Sequence, residues 1–198
     1  MQPTRTLTAH CTLSHPADGQ PLLTINNEHA RAEISLFGAH VLRYQRHGEP
    51  ASIWLSDKAV LDGSKPIRGG IPLCWPWFGP SPTRVGSGKP AHGFARTSLW
   101  TLDGVSDHGD GTLVHLSLRD TDASRALWPH AFELELDVLV GKELSLVLTT
   151  RNTGKTPLTY NAALHTYLQI SAPEAVSVTG LGEPYADKLT GQDGQQQG

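Results

Sequence analysis

Along much of the chain, apolar and polar side chains alternate, which is the period of a strand with one buried face. The clearest instance places Phe132, Leu134, Leu136, Val138 and Val140 on one phase, a turn at Gly141-Lys142, and Leu144, Leu146 and Leu148 on the next run. Two such runs joined by a tight turn predict an antiparallel hairpin. Residues 22–25 read as a strand ending in a turn at Asn26-Asn27, and residues 30–44 continue the alternation across Gly38, which fits two antiparallel strands bent at the glycine. Residues 52–56 form another short apolar run. Residues 98–102 and 113–119 alternate on either side of a turn at 107–111, a second hairpin.

In residues 158–170 the residues Tyr160, Ala162, Leu164, Thr166, Leu168 and Ile170 share one phase, expected to face the core. The opposite phase holds Asn161, Ala163, His165, Tyr167 and Gln169, with His165 at its middle. Residues 176–179 predict a further strand. A single short helix is expected over 120–128, capped by Asp120 or Thr121 and ended by Pro129. Residues 180–188 read as loop, and the glycine- and glutamine-rich 190–198 offers no apolar group to pack. With no repeat and no linker, the pattern predicts a single all-β domain over residues 1–198, a large twisted antiparallel β-sandwich.

Composition narrows the function. The chain of 198 residues is 38% hydrophobic and 18% charged, with a formal net charge of -3, so no global field would recruit nucleic acid or an anionic membrane. No apolar run approaches the roughly 20 residues needed to span a bilayer. The expectation is a soluble, cytoplasmic protein. Cys11 and Cys74 lie far apart without metal-ligand spacing and are expected to be free thiols.

The stretch from Arg68 to Arg96 departs from every strand pattern. It is rich in proline and glycine, so no regular helix or central strand can run through most of it. It nevertheless carries Trp75, Trp77 and Phe78, bracketed by Arg68, His92 and Arg96. That composition suits a concave site where a sugar ring stacks on an aromatic face and an anion meets guanidinium. The alternative is that the aromatics plug one end of the sandwich and the charges are solvated. His40 and His115 sit in strand patterns without a partner cluster and are read as structural.

Five motifs together resemble the aldose 1-epimerase (galactose mutarotase-like) superfamily, and within it the D-hexose-6-phosphate mutarotases. They are Phe37-Gly38-Ala39-His40-Val41; Arg68-Gly69-Gly70-Ile71-Pro72 with Trp75-Pro76-Trp77-Phe78-Gly79-Pro80; His92-Gly93-Phe94-Ala95-Arg96; Asn161 through Tyr167; and Gly180-Leu181 through Tyr185, Asp187 and Lys188. The resemblance implies a super-β-sandwich that interconverts the α and β anomers of hexose 6-phosphates, with no metal or organic cofactor. In such a reaction a histidine protonates the ring oxygen and a carboxylate removes the anomeric proton. It implies His165 as the catalytic histidine, His92 and Arg96 lining the sugar pocket, Arg68 binding phosphate with Arg96, and Asp187 bonding sugar hydroxyls. Trp75 and Trp77 individually suit the core, but at least one is expected to face the site, and Trp75 is taken as substrate-binding. The family's base is a glutamate on a strand near the C-terminus of its domain. Neither Glu174 nor Glu183 nor any earlier acid matches that motif, so the base is assigned to no residue, and the domain is expected to lack its C-terminal strands within these 198 residues. A non-catalytic carbohydrate-binding or regulatory sandwich is the rival reading, because it needs the aromatic floor and the arginines but not the acid and base.

Overall fold

The computed structural model describes residues 3–81, 88–180, 184–187 and 190–195, with only the backbone of residues 185 and 186. Its first half is an antiparallel five-stranded sheet in sequence order: β1 (Arg5–Thr6), β2 (Cys11–Ser14), β3 (Leu22–Asn26), β4 (Ala30–Ser35) and β5 (His40–Arg46). The chain turns between β4 and β5 through Gly38 and Ala39, both in the left-handed region, at the bend the sequence predicts. A bridge from Val41 to Ile71 carries this sheet into a short ladder of β6 (Leu73–Cys74) with β11 (Ala163–Leu164).

The second sheet is also antiparallel and has the order β10-β9-β8-β7, from β7 (Thr101–His108), β8 (Gly111–Arg119), β9 (Phe132–Gly141) and β10 (Leu144–Asn152). The predicted hairpin is β9–β10, with Leu144 opposite Val140. The other hairpin pairs β7 with β8 and lies further along than expected, since β7 starts at Thr101 and Leu99 is exposed. Between β8 and β9 runs the one α-helix of the described residues, α1 (Asp122–Leu127). Thr121 Oγ1 accepts from Ser124 N and Thr121 N donates back to Ser124 Oγ, so the cap is reciprocal.

The core lies between the sheets. Leu23, Ile25 and Ile34 face Val114, Leu116, Leu134, Leu136 and Val138, all buried. Each such side chain contributes about 1.5–3 kcal/mol relative to remaining in water. Hydrogen bonds also cross the interface, among them Asn27 Nδ2 to Val140 O at 2.8 Å and to Thr112 Oγ1 at 3.1 Å, and the Tyr44 hydroxyl to Gly141 O at 3.0 Å. Cys11 and Cys74 are both buried and unpaired in any disulfide. The outward phase of β8–β10 is a row of cross-strand charge pairs: Arg119 with Glu133 at 2.6 Å, Arg151 with Glu135 at 3.2 Å, and His115 Nδ1 with Asp137 Oδ1 at 2.6 Å. His115 therefore has a carboxylate partner that the strand pattern did not suggest, because cross-strand register brings it opposite Asp137.

Three segments near the end of the chain differ from expectation. In residues 160–170 the faces are reversed: Tyr160, Leu164, Leu168 (64% exposed) and Ile170 are open, while Ala163, His165 and Tyr167 are half-buried. Alternation fixes which residues share a face but not which face is covered. Residues 176–179 form no strand; a 3-10 turn at Pro173–Ala175 leads into extended chain with Val176 and Val178 exposed. The polar tail does pair, as β13 (Gln192–Gln195) against β12 (Tyr185–Asp187), since backbone hydrogen bonding needs no apolar side chain. No helix of the described residues is long and apolar enough to cross a membrane.

Candidate active site

At several described positions the proline- and glycine-rich loop is held by backbone bonds to neighbouring segments. Gly70 N donates to Trp54 O at 2.7 Å and Ile71 N to Val41 O at 2.9 Å. Further on, Trp75 O accepts from both Phe94 N and Ala95 N, and Trp77 Nε1 donates to Pro90 O at 3.0 Å. The chain can approach Trp75 so closely only because residue 93 is glycine: a Cβ there would lie 1.9 Å from Trp75 O, and its φ is +70°.

These bonds fix Trp75 in the core, not at the surface. It is 0% exposed, with its ring against Phe132 at 4.6 Å, Trp128 at 5.0 Å and Phe94 at 5.7 Å between centroids. As the hub of an aromatic cluster it has no free face, so its assignment as a sugar-lining residue is corrected. The open aromatic of the loop is Phe78, 38% exposed. Its backbone N–H is gripped by Asn161 Oδ1, and Asn161 N in turn donates to Pro76 O at 3.1 Å.

Phe78 sits between the two histidines singled out in the sequence. Its ring lies 5.0 Å from His92 and 5.8 Å from His165, and the two imidazoles are 6.3 Å apart and edge-on. His92 is locked from two sides: its N–H donates to Gly79 O at 2.7 Å, and Gly79 N–H donates to its Nδ1 at 3.0 Å. An amide can only donate, so Nδ1 accepts and the proton of the neutral ring is on Nε2. His165 is placed by its backbone N–H to Pro72 O at 3.0 Å, while its ring packs on Tyr167 at 5.0 Å. No described residue hydrogen-bonds the His165 ring, which leaves both nitrogens available for proton transfer. Tyr167, and Trp54 behind it at 5.8 Å, extend the aromatic floor. The sequence points to Tyr167 through its phase with His165; nothing in the pattern marks Trp54.

The two arginines are placed differently. Arg96 lies in a 3-10 turn at Ala95–Thr97, and its Nη2 donates to Ala91 O at 2.9 Å, next to His92. Arg68 is exposed, forms no ion pair with a described residue, and is carried on a turn whose carbonyl accepts from Ser56 N. Asp187 is otherwise occupied: Oδ2 accepts from Thr190 Oγ1 at 2.9 Å, closing the β12–β13 turn. Of the motif around it, residues 181–183 and Lys188 lie outside the described residues. Among the described residues no group of three or more His, Cys, Asp or Glu is arranged to hold a metal ion.

Known proteins resemble this chain in sequence and in fold. The family model for aldose 1-epimerase matches residues 21–193. A protein of Escherichia coli that carries the provisional name glucose-6-phosphate 1-epimerase is 36% identical over 172 residues, covering 87% of this chain and 56% of its own length. A similarly named protein of the grass Cenchrus ciliaris is 36% identical over 168 residues, 80% of this chain and 50% of its own. The crystal structure of a protein from Salmonella typhimurium, provisionally assigned as a mutarotase, superposes with a TM-score of 0.88 at 31% identity, over 97% of this chain and 63% of that one. The chain thus spans little more than half the length of the relatives it matches. The matched residues include the loop, both histidines and both arginines, and the chain belongs to the aldose 1-epimerase family.

Proposed function

We propose that this chain carries the acid side of a mutarotase site for hexose 6-phosphates. The observation that carries the reading is the placement of His165 and His92 on either side of the partly exposed Phe78 ring, with Arg96 bonded to Ala91 O beside His92. A pyranose stacks its apolar face on such a ring. His165 then donates a proton to the ring oxygen as the hemiacetal opens and takes it back as the ring recloses, which yields the other anomer. His92 lines the sugar pocket beside it, while the guanidinium groups take the C6 phosphate in charge-assisted bonds. The carboxylate that accepts the anomeric proton comes, on this reading, from the portion of the family domain that the relatives have and this chain does not span. The E. coli and C. ciliaris names, which refer to glucose 6-phosphate, support the choice of a phosphorylated substrate.

The test is magnetisation-transfer NMR of anomer exchange in glucose 6-phosphate with the complete protein. His165→Ala is expected to lower kcat by about 10²–10⁴-fold, the usual contribution of a positioned proton donor, with a smaller effect on sugar affinity. Exchange at the wild-type rate in that variant would remove His165 from the reaction. Binding of the sugar without any catalysed exchange in the complete wild-type protein would favour the non-catalytic reading.

A further inference from the structure

His40 is fully buried at the start of β5. Its Nε2 lies 2.8 Å from Gly69 O; a carbonyl can only accept, so the ring proton is on Nε2 and Nδ1 is a bare acceptor. The fit is close enough to exclude a side chain at the next residue, since a Cβ on Gly70 would meet His40 Nε2 at 2.5 Å. Nδ1 is buried and has no hydrogen-bond partner. The same holds for Arg96 Nε, a buried donor. Leaving either group unsatisfied costs about 1–3 kcal/mol, so a buried acceptor and a buried donor in one region call for a common partner.

The two residues are neighbours. Gly38 N donates to Ser98 O at 2.7 Å, which seats the 3-10 turn of Arg96 on the bend that leads into His40. Burial lowers the His40 pKa to about 4 against the opposing Gly69 bond, and the Arg96 charge pushes it the same way as burial. A water molecule, which accepts from Arg96 Nε–H with one lone pair and donates to His40 Nδ1 with one proton, satisfies both atoms.

We propose that His40 is the positioning residue of the anion site: its Nε2–H holds the Gly69 carbonyl and with it the Arg68 turn, and its Nδ1 fixes Arg96 Nε through one buried water. This rests on the reading of Arg68 and Arg96 as phosphate ligands. One buried imidazole then sets the spacing of two guanidinium groups carried by loops distant in sequence, while touching no substrate itself.

Two measurements on the full protein test it. In side-chain ¹⁵N NMR, His40 is expected as the Nε2–H tautomer with Nδ1 shifted as an accepting nitrogen. Arg96 Nε–H should exchange with solvent at least about tenfold more slowly than that of the exposed Arg5, as a buried bonded group does. Folded His40→Leu should lose that protection. An Nδ1–H tautomer, or Arg96 exchange as fast as that of Arg5 in the wild type, overturns the link. Titration with inorganic phosphate is the second arm: His40→Leu is expected to weaken binding about tenfold, approaching Arg96→Ala, as loss of one well-placed bond to a charged group would. Unchanged affinity in a folded His40→Leu overturns the positioning role. If the wild type binds no phosphate, the anion-site reading itself is overturned, and the NMR arm still decides whether His40 and Arg96 are linked.

Discussion

The four-stranded sheet β7–β10 and the loop pair that carries His92 and His165 are built on different terms. In the sheet, most buried positions are apolar side chains, with Thr112 the buried polar exception, and exposed positions pair by charge across strands. In the loop pair, position is set by individual backbone bonds, by a glycine under Trp75 O, and by single side chains such as Asn161 that grip one amide. The first region is held by area, so many sequences would serve. The second is held by geometry, so few would. A family that keeps one reaction needs the second kind of region to remain fixed while the first drifts.

Three experiments press on that contrast. The largest effect is expected from Leu136→Ala, in the middle of β9 with no exposure. It should cost about 2–5 kcal/mol of stability in urea unfolding, the range for truncating a buried leucine, while the folded fraction keeps wild-type chemical shifts at His92 and His165. Shifts at the histidines as large as those in β8 and β10 would show that the two regions are not independent.

Acid should act through the other region. The pKa of His40 is about 4 in the folded protein, below the ordinary value of 6.5. Between those values the unfolded chain binds the proton and the folded one does not, so stability falls as pH drops from about 6.5 towards about 4. The loss attributable to His40 is on the order of 3 kcal/mol, and His40→Leu should flatten that limb of the stability curve. An equal acid slope in both proteins would place the acid sensitivity elsewhere.

The smallest effect is expected from Asn161→Ala, which removes the acceptor of the Phe78 amide. Because Asn161 is exposed, global stability should fall by only about 0.5–1.5 kcal/mol. NMR shifts should nevertheless concentrate at Phe78, His92 and His165. If the changes instead spread through the core or are absent from those three rings, the grip of Asn161 on the loop is not what orients Phe78.

The same contrast explains what could be read in the sequence. The β9–β10 hairpin and α1 were legible because their signals are local: alternation with a turn between, and a Thr121 cap three residues before Ser124. The irregular course of the loop was legible from residue types that no strand or helix would tolerate together. Which aromatic faces outward was not, since the choice of Phe78 over Trp75 depends on Trp128 and Phe132, brought in from another part of the chain. The reversed faces of residues 160–170 have the same origin, because the covering segments at 52–54 and 70–76 are not sequence neighbours. Partners such as Asp137 for His115, or the pairing of Gln192–Gln195, follow from register, which a single strand does not reveal.

The two cysteines divide along the same line. Cys11 lies in β2 of the first sheet and Cys74 in β6 beneath the loop, each sealed from solvent, and burial holds both thiols above their ordinary pKa, Cys11 at about 11. A thiolate-selective reagent therefore meets neither until the structure around it opens. The native chain thus carries two built-in clocks: the labelling rate of Cys11 times the breathing of the first sheet, and that of Cys74 the breathing of the short β6–β11 ladder, in one molecule without an added probe.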